Sequence, residues 1–334
     1  MTAPSVPRRI LTVSSGLAVF LGLSVWLGLS IGSTGQNLRE VFALLIGSAG
    51  PDETLANIVW RIRLPRVLLA ALAGATLSLG GLVFQALLRN PLAEPYILGI
   101  SGGAAIGAII GILLDLSRFP GVALLAFAGS MATLFLVLVI ASVRLSLKQD
   151  SLILAGVMVN AFCSSLIMFL LSLTQDARLH NILFWLMGDL SLSDGTQTLI
   201  LAACLAPCFF LLFFMARPMN LLLLGEEMAA SMGVNVRAIS LVLVVVTSFM
   251  VSATVCQSGL LGFVGLVTPH LLRLLFGPDH RVLVPACILG GGAYLVWCDL
   301  LARFLPAQGE LPVGVITALI GAPLFIYLLQ RSKR

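Results

Sequence analysis

Leu64-Pro65-Arg66-Val67-Leu68-Leu69-Ala70-Ala71-Leu72-Ala73-Gly74-Ala75-Thr76-Leu77-Ser78-Leu79-Gly80-Gly81-Leu82-Val83-Phe84-Gln85-Ala86-Leu87-Leu88 decides the fold. Its one charge, Arg66, stands at the start, and Arg89 follows the end. A helix crosses a hydrocarbon core about 30 Å thick with about 20 apolar residues, and this run supplies them. Similar runs lie on either side, at 10–31, 97–115, 120–142, 151–173, 195–215, 239–257, 259–275, 282–302 and 312–330. The expected fold is therefore all-α and polytopic, about ten transmembrane helices in a single domain over 1–334. The run 259–275 is short and broken by Gly262, Gly265 and Pro269. Such breakers are tolerated at membrane depth where protein or a cavity surrounds the backbone.

Composition agrees. Of 334 residues, 59% are hydrophobic and 10% charged, against roughly 25% charged in soluble domains. There is too little polar surface to cover a soluble fold. The first run, Ile10 to Ile31, is too long for a signal-peptide core and is expected to be the first span. Two stretches outside the spans, Leu38 to Gly47 and His180 to Asp189, have amphipathic spacing and are expected to be short interfacial helices. All six cysteines lie in apolar runs without C-x-x-C spacing, so neither disulfide nor metal site is expected.

With ten spans both termini share a side. Arg8 and Arg9 precede the first span, and Arg331, Lys333 and Arg334 follow the last. The positive-inside rule places both ends in the cytoplasm, with Arg89, Arg144, Lys148, Arg217, Arg237, Arg273 and Arg281 on the same side. The other side would carry Trp60-Arg61-Ile62-Arg63-Leu64-Pro65-Arg66 and Arg303. So many arginines there suggest a basic docking ring for an acidic soluble partner, since the guanidinium fork binds carboxylates bidentately.

Proton-driven transporters carry ionisable groups deep in their spans. Here Asp299 and Glu310 sit near outer span ends, and Asn160 cannot titrate. The chain also lacks G-x-x-x-x-G-K-[ST], the loop that cradles nucleotide phosphates; its two lysines, Lys148 and Lys333, do not follow glycine. If ATP drives it, another subunit brings the ATP and its magnesium. No paired carboxylates, nucleophile triad or metal-spaced cluster appears, so an enzyme is not expected, and no cofactor is expected on this chain. His270, after Pro269, is expected to be a satisfied structural donor.

The connection from Arg217 to Ala238 includes Leu224-Gly225-Glu226-Glu227-Met228-Ala229-Ala230-Ser231-Met232-Gly233. Glu226 and Glu227 suit the first turn of a short helix, and Gly233 suits a left-handed cap after it. Met228 and Met232 fall on one face. So short a helix is marginal in water and needs a partner's groove.

Four stretches together resemble the FecCD-type family, permease subunits of type II ABC importers for cobalamin, haem and iron–siderophore complexes. They are Arg63-Leu64-Pro65-Arg66 with Gly74-Ala75 and Gly80-Gly81; Gln85 to Pro95 with Leu98 to Ala104; Gly225 to Gly233; and Gly262 to His270, with Asp279-His280-Arg281, Glu310 to Ala318 and Gly321-Ala322-Pro323. The resemblance implies a bacterial inner-membrane subunit paired with a second permease, two ATP-binding cassette subunits and a periplasmic or lipid-anchored binding protein, with no nucleic acid. It implies that Arg63, Arg66 and Arg303 receive acids of the binding protein. It makes Gly225, Glu226, Glu227, Met228, Met232 and Gly233 a coupling helix. It places a cytoplasmic gate at Asn90 and Leu92 and in a loop at Gln149-Asp150-Ser151. Gly99, Gly102, Gly103 and Gly107 would give one span a small-residue face. The rival reading is a stand-alone secondary transporter or channel.

Overall fold

In the computed structural model, residues 6–32, 35–36, 38–46, 53–142, 149–306 and 309–332 are described. Gly47, Arg144, Lys148, Lys333 and Arg334 lie outside them. The described residues form α1 (Val6–Ser30), a two-residue pairing of Ile31–Gly32 with Gly35–Gln36, α2 (Leu38–Leu45) and α3 (Glu53–Asn57). A π-helical turn, Ile58–Arg63, runs on into α4 (Leu64–Leu87). Then follow a 3-10 turn (Pro95–Leu98), α5 (Ile100–Leu113), α6 (Ala123–Ser142), α7 (Gln149–Ser172), α8 (Asp176–Leu186) and α9 (Gly195–Phe214). The series ends with α10 (Ala216–Leu222), α11 (Glu226–Ser231), α12 (Val236–Ser258), α13 (Val264–Phe276), α14 (His280–Phe304) and α15 (Val313–Ser332).

Each of the ten expected spans corresponds to a helix. Among the described residues seven are long and apolar enough to cross a bilayer alone; α5 and α13, with 14 and 13 residues, are shorter. Helix α5, with 14 residues, reaches only about 21 Å at 1.5 Å per residue. The expected span 97–115 is thus trimmed at both ends. Gly99 takes a left-handed φ of 77°, which separates the 3-10 turn from α5. That irregular backbone packs on α7, so it does not face lipid. The expected span 259–275 also starts late, at Val264. Gly259 (φ 69°) ends α12, and Phe263 (φ 66°) holds the positive-φ position before α13.

The helices form two compact units. The first holds residues 1–79, 190–207 and 262–334. In it α1 lies along α14, and Trp297 Nε1 donates to Ser24 Oγ at 3.1 Å. Helices α4 and α14 meet at glycines: a Cβ on Gly74 would sit 2.1 Å from the Gly291 carbonyl oxygen. Only glycine permits that approach, and close approach is what drives helix association where lipid competes for apolar contact. Helix α2 is amphipathic as expected, burying Val41 and exposing Arg39 and Glu40.

The second unit holds residues 80–189 and 208–261. Helix α5 crosses α6 with Gly103 against Gly129, where added Cβ atoms would lie 2.3 and 2.2 Å from the opposing carbonyl oxygens. A Cβ on Gly107 would lie 2.0 Å from the Leu125 carbonyl oxygen. The expected small-residue face therefore serves helix packing. Phe127 of α6 meets Phe249 of α12 edge to face at 5.7 Å. At one end of this unit α8 buries Ile182 and Trp185. Arg118 clamps Asp189 there, with NH1 donating to Oδ2 at 2.8 Å and NH2 to the Asp189 carbonyl at 2.9 Å.

Candidate functional site

Two places carry the chemistry the sequence singles out. In the first unit, the N-terminal end of α4 meets the C-terminal ends of α1 and α14. Arg66 Nε donates to Asp299 Oδ1 at 2.8 Å, and its NH1 donates to Glu310. Arg303, one turn after Asp299, pairs with the same carboxylate at 3.1 Å. Two further anchors come from α1. Arg63 NH1 donates to the carbonyls of Leu29 at 2.8 Å and Ser30 at 3.2 Å; Arg303 NH1 donates to those of Gly28 and Ile31. The last carbonyls of a helix lack intrahelical partners and carry its negative dipole end, so two guanidinium groups satisfy them.

This corrects an expectation. Arg63, Arg66 and Arg303 are buried, not held out as an open ring. The Asp299 side chain is fully buried, while that of Glu310 remains 34% exposed. The cause is desolvation. A lone guanidinium is costly to bury, and Asp299 and Glu310 lie within reach to neutralise it. The signal was in the sequence: Asp299 and Arg303 are four apart on one helix face. Arg61 is exposed.

The second place is at one end of the second unit. Gly225 (φ 112°, ψ 153°) precedes α11 in backbone space open to glycine. Glu226 and Glu227 occupy its first turn. Gly233 (φ 84°) closes it as expected: its N–H bonds the Ala230 carbonyl at 3.0 Å, and that of Val234 bonds the Ala229 carbonyl at 3.1 Å. Ala229 is buried, so the helix is held by one side; Met228 and Met232 are exposed. This capped helix of six residues shows two acids and two large apolar side chains on its open side.

Near it, Asn90 Oδ1 accepts from the Leu92 N–H at 2.9 Å and shapes a tight turn in which Leu92 is exposed. Burial pushes the Glu94 carboxyl at the end of this loop above the usual carboxylate range. The Gln149-Asp150-Ser151 stretch, expected as a loop, is instead the first turn of α7, where Asp150 faces the positive dipole end. The next residue, Leu152, lines one small cleft with Leu87, Arg89, Leu222, Glu226, Val236 and Ser240. Arg89, Leu152 and Glu226, each next to or within a stretch expected to gate or to couple, thus line one cleft. Of these, Arg89 was read only as a loop charge.

His270 departs from expectation. It is buried, and neither ring nitrogen has a hydrogen-bond partner among the described residues. Its ring packs edge to face on Phe325 at 6.1 Å. None of the six cysteines is in a disulfide.

Comparison with known proteins places this arrangement. The chain is 42% identical over 278 residues to the vitamin B12 import system permease protein BtuC of Salmonella arizonae, covering 83% of this chain and 84% of that protein. It is 41% identical over 276 residues to the protein of that name from Salmonella typhi. Among solved structures it matches an inward-facing metal-chelate type ABC transporter with a TM-score of 0.85 and 31% identity, over 96% of this chain and 99% of that one. A structure of PsaBC from Streptococcus pneumoniae with Fab matches in fold alone, with a TM-score of 0.57 and 17% identity, over 83% of this chain and 94% of that one. The FecCD transport family model matches residues 20–331. This multi-pass membrane protein, a transport permease and not an enzyme, belongs to the FecCD transport family.

Proposed function

We propose that the chain is the membrane-spanning subunit of a binding-protein-dependent ABC importer for a metal chelate, seated in the bacterial inner membrane with both termini cytoplasmic. It pairs with a second permease chain, and two ATP-binding subunits and a binding protein complete the machine. The observation that carries this reading is α11: a capped, outward-facing helix with exposed Met228 and Met232 on a chain that has no phosphate-binding loop of its own. Met-rich exposed faces suit docking into a partner's groove. Among chelates, cobalamin comes first, because relatives 41–42% identical are vitamin B12 import permeases; iron–siderophore and haem follow.

The binding protein docks at the arginine end. Arg61 makes the first contact, and an acidic side chain reaches Arg66, Arg63 and Arg303 by displacing the partly exposed Glu310 carboxylate. Asn90, Leu92, Asp150 and Ser151 act as the cytoplasmic gate, moved through α11. The test is to purify the chain with its neighbours and reconstitute it in vesicles. Co-purification of an ATPase, and uptake of cobalamin only with ATP and the binding protein, is the expected result. Uptake by this chain alone, without nucleotide, would overturn the proposal in favour of a secondary transporter.

A further inference from the structure

Arg89 sits where a glycine would be expected. Helix α4 ends in the same cap as α11. The Asn90 N–H bonds the Gln85 carbonyl at 3.2 Å, and the Arg89 N–H bonds the Ala86 carbonyl at 3.4 Å. At α11 the equivalent position is Gly233, with φ 84°; here it is Arg89, with φ 45°. That left-handed conformation is free to glycine and strained for any residue with a Cβ. Strain of this kind persists where the surroundings hold the residue for another purpose.

The purpose is visible in the side chain. Arg89 Nε donates to the Leu222 carbonyl at 3.0 Å, the last residue of α10. Its NH2 lies 3.8 Å from Glu226 Oε1, in the first turn of α11. A guanidinium thus satisfies a C-terminal carbonyl of α10 and faces an acid of α11. The backbone of the same residue begins the Asn90–Leu92 turn. Leu152 of α7 lines the cleft around it. One residue links the end of α4, the turn after it, and both short helices of the 216–231 segment.

We propose that Arg89 is a positioning residue: a rigid strut that holds α11 in register with the Asn90–Leu92 turn, so that a push on α11 is delivered to that turn. Its coupling role rests on the ABC reading above, but its strut role does not. The left-handed backbone aims the side chain back at α10 and α11. The cost of that conformation is the sign that the contact is kept for more than local stability.

Two measurements separate the strut from the ABC reading. Spin labels on Leu92→Cys and Ser231→Cys, in a background without other cysteines, report the distance between turn and helix in the purified, nucleotide-free permease. With R89G the distance distribution should broaden, while thermal stability stays level or rises because glycine relieves the strain. R89K should give an intermediate width. In the reconstituted complex, R89G should lower substrate moved per ATP hydrolysed by at least about fivefold, the lower bound of ordinary intersite coupling. An unchanged distance distribution in R89G overturns the strut, whether or not an ATPase works with this chain. A broadened distribution with an unchanged transport-to-ATP ratio overturns its coupling role.

Discussion

Arg66 and Asp299 are joined across 2.8 Å with the carboxylate fully out of solvent, although 233 residues separate them in sequence. Arg303 shares that carboxylate, so Asp299 neutralises two guanidinium groups from two helices. Removing one member of a buried ionic group costs about 3–5 kcal/mol, because the others are left uncompensated. Asp299→Asn should therefore sharply lower the melting temperature of the detergent-purified protein. Glu310→Gln should cost less than about 1 kcal/mol, since water can replace a partly exposed carboxylate. Equal losses for the two variants would show that Asp299 is not the keystone.

Gly74 and Gly291 offer a second test. A Cβ on Gly74 meets the Gly291 carbonyl at 2.1 Å, and one on Gly291 meets Ser78 Cβ at 2.4 Å. Backbone cannot yield as a flexible side chain can. Overpacking of this kind costs about 1–3 kcal/mol. Gly74→Ala should lower stability measurably. Gly16→Ala, whose Cβ would meet nothing within 4 Å, should not. A null effect at both would mean that α4 and α14 do not approach as closely as observed.

At α11 the two flanking glycines have open space around them, so their substitution tests the backbone alone. A Cβ on Gly225 or Gly233 would touch nothing within 4 Å, yet both have positive φ, 112° and 84°. Gly225 also has ψ 153°, in the region nearly confined to glycine. Gly225→Ala should cost about 1–3 kcal/mol locally and Gly233→Ala less. The expected readout is loss of ATPase co-purification with intact membrane insertion, larger for Gly225→Ala. Wild-type ATPase recovery with both variants would detach α11 from that role.

The sequence made the helical spans legible because desolvation of the backbone leaves few alternatives in lipid. The end of span 64–88 was readable to within a residue for that reason, whereas its helix runs on without a break from Glu53 through the π-helical turn. Spans 97–115 and 259–275 were not, because their true starts depend on positive-φ positions at Gly99 and Phe263, and the second of these is not a glycine. The cap at Gly233 was legible because glycine advertises a left-handed residue. The matching cap at Arg89 was hidden, since arginine does not. The arginine end was misread in exposure for a related reason. Charge is visible in sequence, but the pairing of Arg66 with Asp299 is a tertiary fact.

The buried arginines also separate docking from folding by experiment. Arg61 is exposed, so Arg61→Glu should leave the melting temperature unchanged and weaken capture of the binding protein. The loss should be greatest at low ionic strength, where the Debye length exceeds about 10 Å. Arg66→Glu places an acid beside Asp299 and Glu310, and should first destabilise the fold. Glu310→Gln frees Arg66 of a competing carboxylate, and should strengthen capture of an acidic partner. The measurement is binding-protein affinity for the permease in nanodiscs at two salt concentrations, with melting curves alongside. If Arg61→Glu leaves affinity unchanged at both salts and Glu310→Gln weakens it, the acidic partner does not dock on this end.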